Sequence, residues 1–328
     1  MRGRWRRWLG VGAAIVALLV VSSPAWFGLS TYEPLAQIVA LRGWIAFGAL
    51  AIAAVTAVCA LLVRQRGVDR PARLCALATV LLLTAAGNLG VLLARGTTNA
   101  DALPAGKQSG AIDVLALNTW DGAASDDDVA ALLDQVSPDV VVLPETTEAA
   151  AHRIASRTEA GFTVFMGHGD PGGSEPTALL IAPGLGAYET IPGPDLEYGM
   201  VGARPVSGNG PVLYAVHVVS PVGDQLPAWR EELNLVTRIC DRTDGAIMAG
   251  DFNATVDHAP LQNTACLDGS TETGGLGTWP SGLAALLGAP IDHVLADGSR
   301  WRPVASAVRK VGGSDHRALM VRLASVRS

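Results

Sequence analysis

Three uncharged apolar runs in the first hundred residues constrain this chain more than any other feature. Trp8 to Tyr32 is 25 residues long, Gly43 to Val63 is 21, and Leu74 to Ala94 is 21. A helix needs about 20 apolar residues to cross the hydrocarbon core of a bilayer, and only a helix satisfies its own backbone there. A soluble core helix of that length would show a polar face. The runs predict three transmembrane helices, at about 8–30, 43–63 and 74–94, in a membrane domain over residues 1–95. The first run also has features of a secretory signal, with Arg2, Arg4, Arg6 and Arg7 before it and Ser22 and Ser23 near its end. Two further runs follow and would anchor the chain in either case.

Charge divides the chain at the same place. Residues 1–100 hold ten Arg and two acids, a balance of +8; the rest holds 14 basic and 28 acidic residues, a balance of −14. Arginines crowd the N-terminus and the loop with Arg64, Arg66, Arg70 and Arg73, whereas the loop between the first two runs has only Arg42, offset by Glu33. Positive loops stay in the cytoplasm. The N-terminus is therefore expected inside and, after three crossings of the plasma membrane, the acidic part outside. Cys59 and Cys75 lie in or beside the apolar runs and read as small apolar residues. Cys240 and Cys266 are the pair available to bridge in an oxidising compartment, provided their Cα atoms approach within about 7 Å.

Residues 96–110, small and polar, read as a linker. Beyond it, over residues 111–326, Val/Ile/Leu-rich runs alternate with helical patterns and no internal repeat is evident. Strands are expected at Ile112–Leu117, Asp139–Leu143, Thr163–Met166, Ala178–Ile181, Val212–Val218, Ala246–Ala249, Ile291–Leu295 and Ala318–Leu323. Helices are expected after Ser125, an N-cap with Asp128 at the third position, around Thr147–Arg157, and at Leu226–Arg242. Polar residues cluster where strands end. The pattern implies two packed sheets flanked by helices, with a site on strand-end loops.

The most informative segment is AIMAGDFNAT, Ala246 to Thr255. Asp251 and Asn253, two apart on an extended chain, point to the same side at the mouth of a buried strand. A carboxylate there can deprotonate water, and an amide can orient an oxyanion without adding charge. Five other strand ends share this form: Asn118 after DVLAL, Glu145 after VVVLP, His217 within LYAVHVVSP, Asp292 in IDHVL, and Asp315 with His316 in GGSDHRALM. Each alone reads as a turn cap or a satisfied core histidine. Together they assemble metal-competent and proton-competent side chains at six strand termini.

In order, LNTWDG, VVVLPET, VHVVSP, AGDFNAT, PIDHVL and GGSDH resemble the successive motifs of the endonuclease/exonuclease/phosphatase superfamily. The resemblance implies a four-layer α/β sandwich, two central mixed sheets covered by helices, behind the three transmembrane helices. It implies that Glu145 ligates Mg²⁺ or Mn²⁺ with help from Asn118 and Asp315. Asp251 would orient or deprotonate the attacking water and Asn253 would hold the phosphate. His316, fixed by Asp292, would stabilise phosphoryl charge, and His217 would contact the phosphate or assist the leaving oxygen. Pro144 stands where many relatives carry Gln, and the tyrosine that apurinic endonucleases place near the phosphate has no evident counterpart. Asp121 is a possible supporting acid, His293 should face away from Asp292 as a structural residue, and His168 is exposed or substrate-facing.

The balance of −14 argues against nucleic acid, whose binders use basic surfaces for counterion release. The anchor favours a phosphate on a membrane lipid, such as a headgroup or a polyprenyl phosphate. The architecture also resembles membrane-anchored bacterial relatives associated with envelope-antibiotic resistance. The alternatives are an extracytoplasmic nuclease, favoured if a local basic groove exists, and a catalytically silent membrane receptor or scaffold, which the intact motif residues argue against.

Overall fold

The computed structural model describes residues 2–66, 71–98, 100–167, 176–191, 193–194 and 196–326; His168 lies outside them. The chain divides into two compact units, one holding residues up to Ala94 with Asp257–Ala259, the other holding Arg95–Val256 and Pro260 onward.

The first unit contains helices α1 (Arg2–Ser22), α2 (Leu35–Ala40), α3 (Arg42–Gln65) and α4 (Pro71–Ala94). Two helices, not three, are long and apolar enough to cross a membrane among the described residues: Arg42–Gln65 and Ala72–Ala94. The expected first span breaks because α1 stops at Ser22, Pro24 opens a short 3-10 turn, and Gly28 turns left-handed at φ 70°. The apolar part of α1, Leu9–Ser22, is shorter than the roughly 20 residues a crossing needs. Arg42 pairs with Asp257. It is buried at the start of α3, where Nε and Nη2 donate to both oxygens of Asp257 at 2.7 and 2.5 Å and Nη1 donates to Asn88 Oδ1 at 2.8 Å. A buried guanidinium needs such pairing.

The second unit is built on β1 (Ile112–Ala116), β2 (Val140–Leu143), β3 (Thr163–Gly167), β4 (Thr177–Ile181), β5 (Tyr188–Ile191) and β6 (Met200–Pro205). They are followed by β7 (Val212–His217), β8 (Ala246–Asp251), β9 (Cys266–Asp268), β10 (Asp292–Asp297), β11 (Trp301–Lys310) and β12 (Arg317–Ser325). One six-stranded sheet runs β11-β12-β1-β2-β4-β3 and the other β5-β6-β7-β8-β10-β9. Only β1–β2 and β7–β8 pair in parallel among the described residues. Alternate residues of both sheets, including Val114, Val142, Leu213, Ile247 and Val321, form the core between them. The outer face of the first sheet packs on α5 (Asp126–Val136) and α6 (Glu148–Arg157) through Leu115, Val141, Val129, Leu133 and Ile154. The second sheet is covered by α7 (Leu226–Arg242), whose Trp229, Leu233, Val236 and Cys240 are buried. These are the four layers of an α/β sandwich.

Local chemistry explains the helix ends. Ser125 Oγ accepts the Asp128 N–H at 3.1 Å and donates to its carboxylate at 2.7 Å, and α5 ends where Ser137 turns left-handed ahead of Pro138. The described residues of 96–110 form no helix or strand; they belong to the second unit, Arg322 Nη1 donating to Pro104 O at 2.7 Å and Lys107 pairing with Asp139.

Cys240 on α7 and Cys266 on β9 form a disulfide with a Cα separation of 6.3 Å. It closes a loop over a sequence separation of 26 and ties a three-residue edge strand to the helix above. Replacing both cysteines with serine is expected to cost about 3–4 kcal/mol, chiefly by restoring freedom to the unfolded chain. Urea unfolding of the pair variant checks this; a midpoint equal to wild type contradicts it.

Candidate active site

The topology brings the six motif-bearing strand ends to one place. β1 and β2 run in parallel, so Asn118 and Glu145 leave at the same end. β7 and β8 do likewise, with His217 directly opposite Asp251. β10 is antiparallel to β8, so its first residue, Asp292, also faces Asp251. β12 is antiparallel to β1, so Asp315 and His316 arrive from the same side, just before its first residue. Gly250 makes the close β7–β8 approach possible. Its φ is +139°, and a Cβ there would lie 2.0 Å from Val216 O.

Among the described residues seven of the eight expected side chains join one continuous cluster, and Asn253 joins it through its backbone N–H. Asn118 Nδ2 donates to Glu145 Oε1 at 2.9 Å and to Asp251 Oδ2 at 3.2 Å. His217 Nε2 lies 3.8 Å from Glu145 Oε1 and 3.7 Å from Asp251 Oδ2. His316 Nε2 is 3.7 Å from Asp251 Oδ2 and 3.9 Å from Asp315 Oδ1, while its Nδ1 bonds Asp292 Oδ2 at 2.8 Å. Asn253 folds back on Asp251, its N–H donating to Oδ1 at 2.8 Å, and its Nδ2 donates to Val218 O at 2.9 Å. Glu145 and Asn253 hold left-handed backbones, at φ 57° and 45°. Such strain in non-glycine residues concentrates at functional positions.

Burial and mutual charge set the protonation states. Burial, then repulsion from Asp292, holds the Asp251 carboxyl up to about 7, against the pull of His316 and two hydrogen bonds. Burial also raises Glu145, partly countered by Asn118. His217 is pushed down to about 3 by burial and by His316, so it is neutral across the physiological range. For His316 burial alone would lower the value, but Asp292 and Asp251 outweigh it and raise it to about 10. The site thus pairs a neutral imidazole with a fixed imidazolium.

These residues fit a divalent cation. Glu145, Asp251, Asp292 and Asp315 supply hard oxygen donors, and buried Asp292 Oδ1 has no hydrogen-bond partner. Asp251, Asp292 and His316 form the tightest ligand-like trio, with atoms within 4.8 Å of one another. A protonated His316 is a poor ligand, however, and its Nδ1 is occupied by Asp292. The Glu145 side therefore fits the cation better. Asn118 links two acids through Nδ2, and its Oδ1, which accepts the Trp120 N–H at 2.9 Å, keeps a second lone pair that a cation could use.

Other residues resolve as follows. Asp121 supports Glu145 through its backbone N–H, 2.9 Å from Oε2, not through its carboxylate. His293 faces away from Asp292 as expected, bonding Asp268 Oδ2 at 2.5 Å and Ala254 O at 2.8 Å. Three neighbours of the site lay outside the motif reading. Tyr198 packs against His217 at a tilt of 51° with ring centroids 4.7 Å apart, Trp229 Nε1 donates to Asn253 O at 3.0 Å, and Trp279 Nε1 donates to Asp315 Oδ2 at 2.9 Å. Tyr198 lies in a polar stretch, and neither tryptophan falls within a motif segment, so no local pattern marked them.

A family model described as Endonuclease/Exonuclease/phosphatase family matches residues 109–316. No curated protein matches the chain. Among solved structures it is similar to humanized D. rerio TDP2 with 14 mutations, at 18% identity and TM-score 0.52, over 66% of this chain and 99% of that one. It is similar to an endonuclease/exonuclease/phosphatase from Beutenbergia cavernae at 19% identity and TM-score 0.52, over 66% of this chain and 72% of that one. The human Nocturnin catalytic domain with bound sulfate anion aligns at 11% identity and TM-score 0.50, over 68% of this chain and 98% of that one. At these identities the likeness is one of fold.

Proposed function

The chain belongs to the endonuclease/exonuclease/phosphatase family and is accordingly a hydrolase of phosphate esters, and from that premise we propose that it cleaves a phosphate ester carried by a membrane lipid outside the cytoplasm. The observation that carries the reading is a continuous Glu145–Asn118–Asp251–His316–Asp292 cluster in a chain that also has two membrane-length helices. The side of the membrane is inferred from the α3–α4 loop. Arg64 and Arg66 end α3 and Arg73 opens α4, which favours keeping this loop in the cytoplasm, and Arg95 then emerges opposite; the arginines before α1 fit the same orientation only if α1 also crosses. The Cys240–Cys266 disulfide agrees, since such bonds persist in oxidising compartments.

Glu145, with Asp251 and Asp315 nearby, would hold Mg²⁺ or Mn²⁺, which when bound neutralises charge developing on the phosphoryl oxygens. Asp251, once ionised, takes the proton of the attacking water. Asn253, whose backbone N–H holds Asp251 Oδ1 and whose amide rests on Val218 O, would turn that amide toward the phosphate when substrate binds. The His316 imidazolium, oriented through Nδ1 by Asp292, presents Nε2–H to a phosphoryl oxygen. Neutral His217 faces the same space from β7 and can donate to the leaving oxygen.

The test uses the full chain in detergent with Mg²⁺ and three substrates: a polyprenyl phosphate, plasmid DNA and bis(p-nitrophenyl) phosphate. Phosphate release from the lipid, abolished by EDTA and restored by Mg²⁺, is the expected result. Plasmid nicking without lipid turnover would replace the lipid reading with a nuclease. That outcome has a precedent in the fold, since a D. rerio TDP2 structure of TM-score 0.52 is complexed with single strand DNA product, and the acidic charge alone does not decide against it. Inertness on all three would favour a scaffold.

A further inference from the structure

The loop between β9 and β10 presents Trp279, Leu283 and Leu286 to solvent, 39%, 38% and 37% exposed, directly beside the site. Trp279 donates its indole N–H to Asp315, the neighbour of His316. Exposed apolar residues often sit on loose loops, but this loop is built. Arg317 is buried, and its guanidinium donates to the carbonyls of Gly277, Pro280, Ser281 and Leu283. Trp279 and Ala289 exchange backbone hydrogen bonds at 3.0 and 2.6 Å, and Ser281 N–H donates to Asp315 O at 2.6 Å. Gly277 and Gly288 pass so closely that a Cβ on Gly277 would lie 2.1 Å from Gly288 C. A guanidinium spent on four carbonyls holds these side chains outward.

A second observation says what they face. The backbone just after α4 is hydrogen-bonded to the start of the same loop: Gly274 N–H to Arg95 O at 3.1 Å, Gly275 N–H to Gly96 O at 2.8 Å, and Thr98 N–H to Glu272 O at 2.9 Å. Gly96 is at φ +90°, and a Cβ there would lie 2.3 Å from the Glu272 backbone. Arg95 is the first residue beyond the membrane-length helix. From Gly275 to Trp279 is four residues, at most about 14 Å of extended chain. Trp279, Leu283 and Leu286 are therefore tethered close to the point where the chain leaves the bilayer.

We propose that this loop is a lip that seats in the interfacial layer of the membrane and receives the apolar part of a lipid-borne substrate as its phosphate enters the Asp251–His316 site. The proposal rests on the lipid reading above and adds the surface that selects for it. Trp is favoured at the headgroup level, where its ring is buried and its N–H stays bonded. Electrostatic attraction cannot supply the contact, because the part beyond residue 100 carries −14 and would be repelled by anionic lipid. The contact must be apolar.

Two measurements on the full chain in phosphatidylcholine vesicles test this. With Cys59 and Cys75 changed to serine, an environment-sensitive label on Leu286→Cys is expected to be quenched by lipids bearing a shallow nitroxide. A label on Val206→Cys, just beyond the opposite end of β6, is expected to be unaffected. Equal quenching at both positions, or a Leu286 signal that follows protein concentration instead of nitroxide lipid, overturns the lip and points to a second copy or another partner. This arm needs no activity, so it stands apart from the substrate reading. In the second arm, Leu283→Ser with Leu286→Ser is expected to lower kcat/KM on a vesicle-borne polyprenyl phosphate about tenfold or more by removing buried apolar surface. Hydrolysis of bis(p-nitrophenyl) phosphate should stay within about twofold of wild type, as no transition-state contact is removed. Equal losses on both substrates would make the loop merely structural and overturn the proposal. A wild type that cleaves only the soluble ester would overturn the lipid reading, while the quenching result would still decide the lip.

Discussion

Asp251→Asn is expected to lower kcat on a phosphate ester about 10²–10³-fold in Mg²⁺, the scale of losing a positioned base or preorganised contact, while the protein stays folded. Asp251 is central because two register relations meet on it: His217 lies opposite on one side and Asp292 on the other. Asparagine preserves the shape and, like the protonated carboxyl, keeps one oxygen to accept from an N–H donor, but it cannot take a proton from water. The same change should not destabilise the cation-free protein. The Asp251 carboxyl is raised from 3.8 to about 7 by burial and by Asp292, so the native state binds its proton more tightly than the unfolded chain. Its contribution is therefore most favourable below about pH 4 and is lost as pH rises through about 7. Asp251→Asn removes that loss. Thermal unfolding in EDTA should show the variant at least as stable as wild type at pH 8, with a smaller gap at pH 4. Retention of more than a tenth of wild-type kcat would remove Asp251 from the chemistry.

The parts of the molecule legible in the sequence were those whose physics is local. Val140–Leu143 and Ala246–Asp251 are buried on both faces and read as unbroken apolar runs. The α7 boundaries matched at both ends because an amphipathic pattern opens at Leu226-Pro227 and closes at Arg242. The unread strands β5, β9 and β11 are sheet edges, and β6 neighbours one of them. Edge strands tolerate polar residues and proline: β11 carries Arg302, Pro303, Arg309 and Lys310, with a bulge between Pro303 and Ala305. Site residues were legible where an acid, amide or imidazole interrupts an apolar strand end. Tyr198 and Trp279 reach the site through tertiary contact alone, so no periodicity marks them. The first apolar run misled for a related reason: hydropathy counted Ser23 to Ser30 as span, while Pro24 and Gly28 turn the backbone out of the helix.

Asp292→Asn should be nearly as damaging as the loss of Asp251 itself, by a different route and with a distinct pH signature. His316 is buried, and burial favours its neutral form; Asp292 is the largest influence keeping it charged, ahead of Asp251. In the wild type the two requirements overlap. Asp251 is ionised above about 7, lower once a cation neutralises its surroundings, and His316 stays an imidazolium up to about 10. Activity should rise with pH through the Asp251 titration and fall only toward the alkaline end. Without the Asp292 charge the His316 value drops, and the Asp251 value drops with it because the same charge repels that carboxylate, so both limbs of the profile move toward lower pH. The expected result is a fall in kcat on the order of 10²-fold at the wild-type optimum, with the alkaline limb displaced to lower pH as His316 loses its charge earlier. An imidazole titration by NMR should show the His316 midpoint moving down in the variant. If kcat falls but the midpoint stays near 10, Asp292 acts on the reaction by some means other than holding His316 charged, and the division of labour between acid and imidazolium described here is wrong.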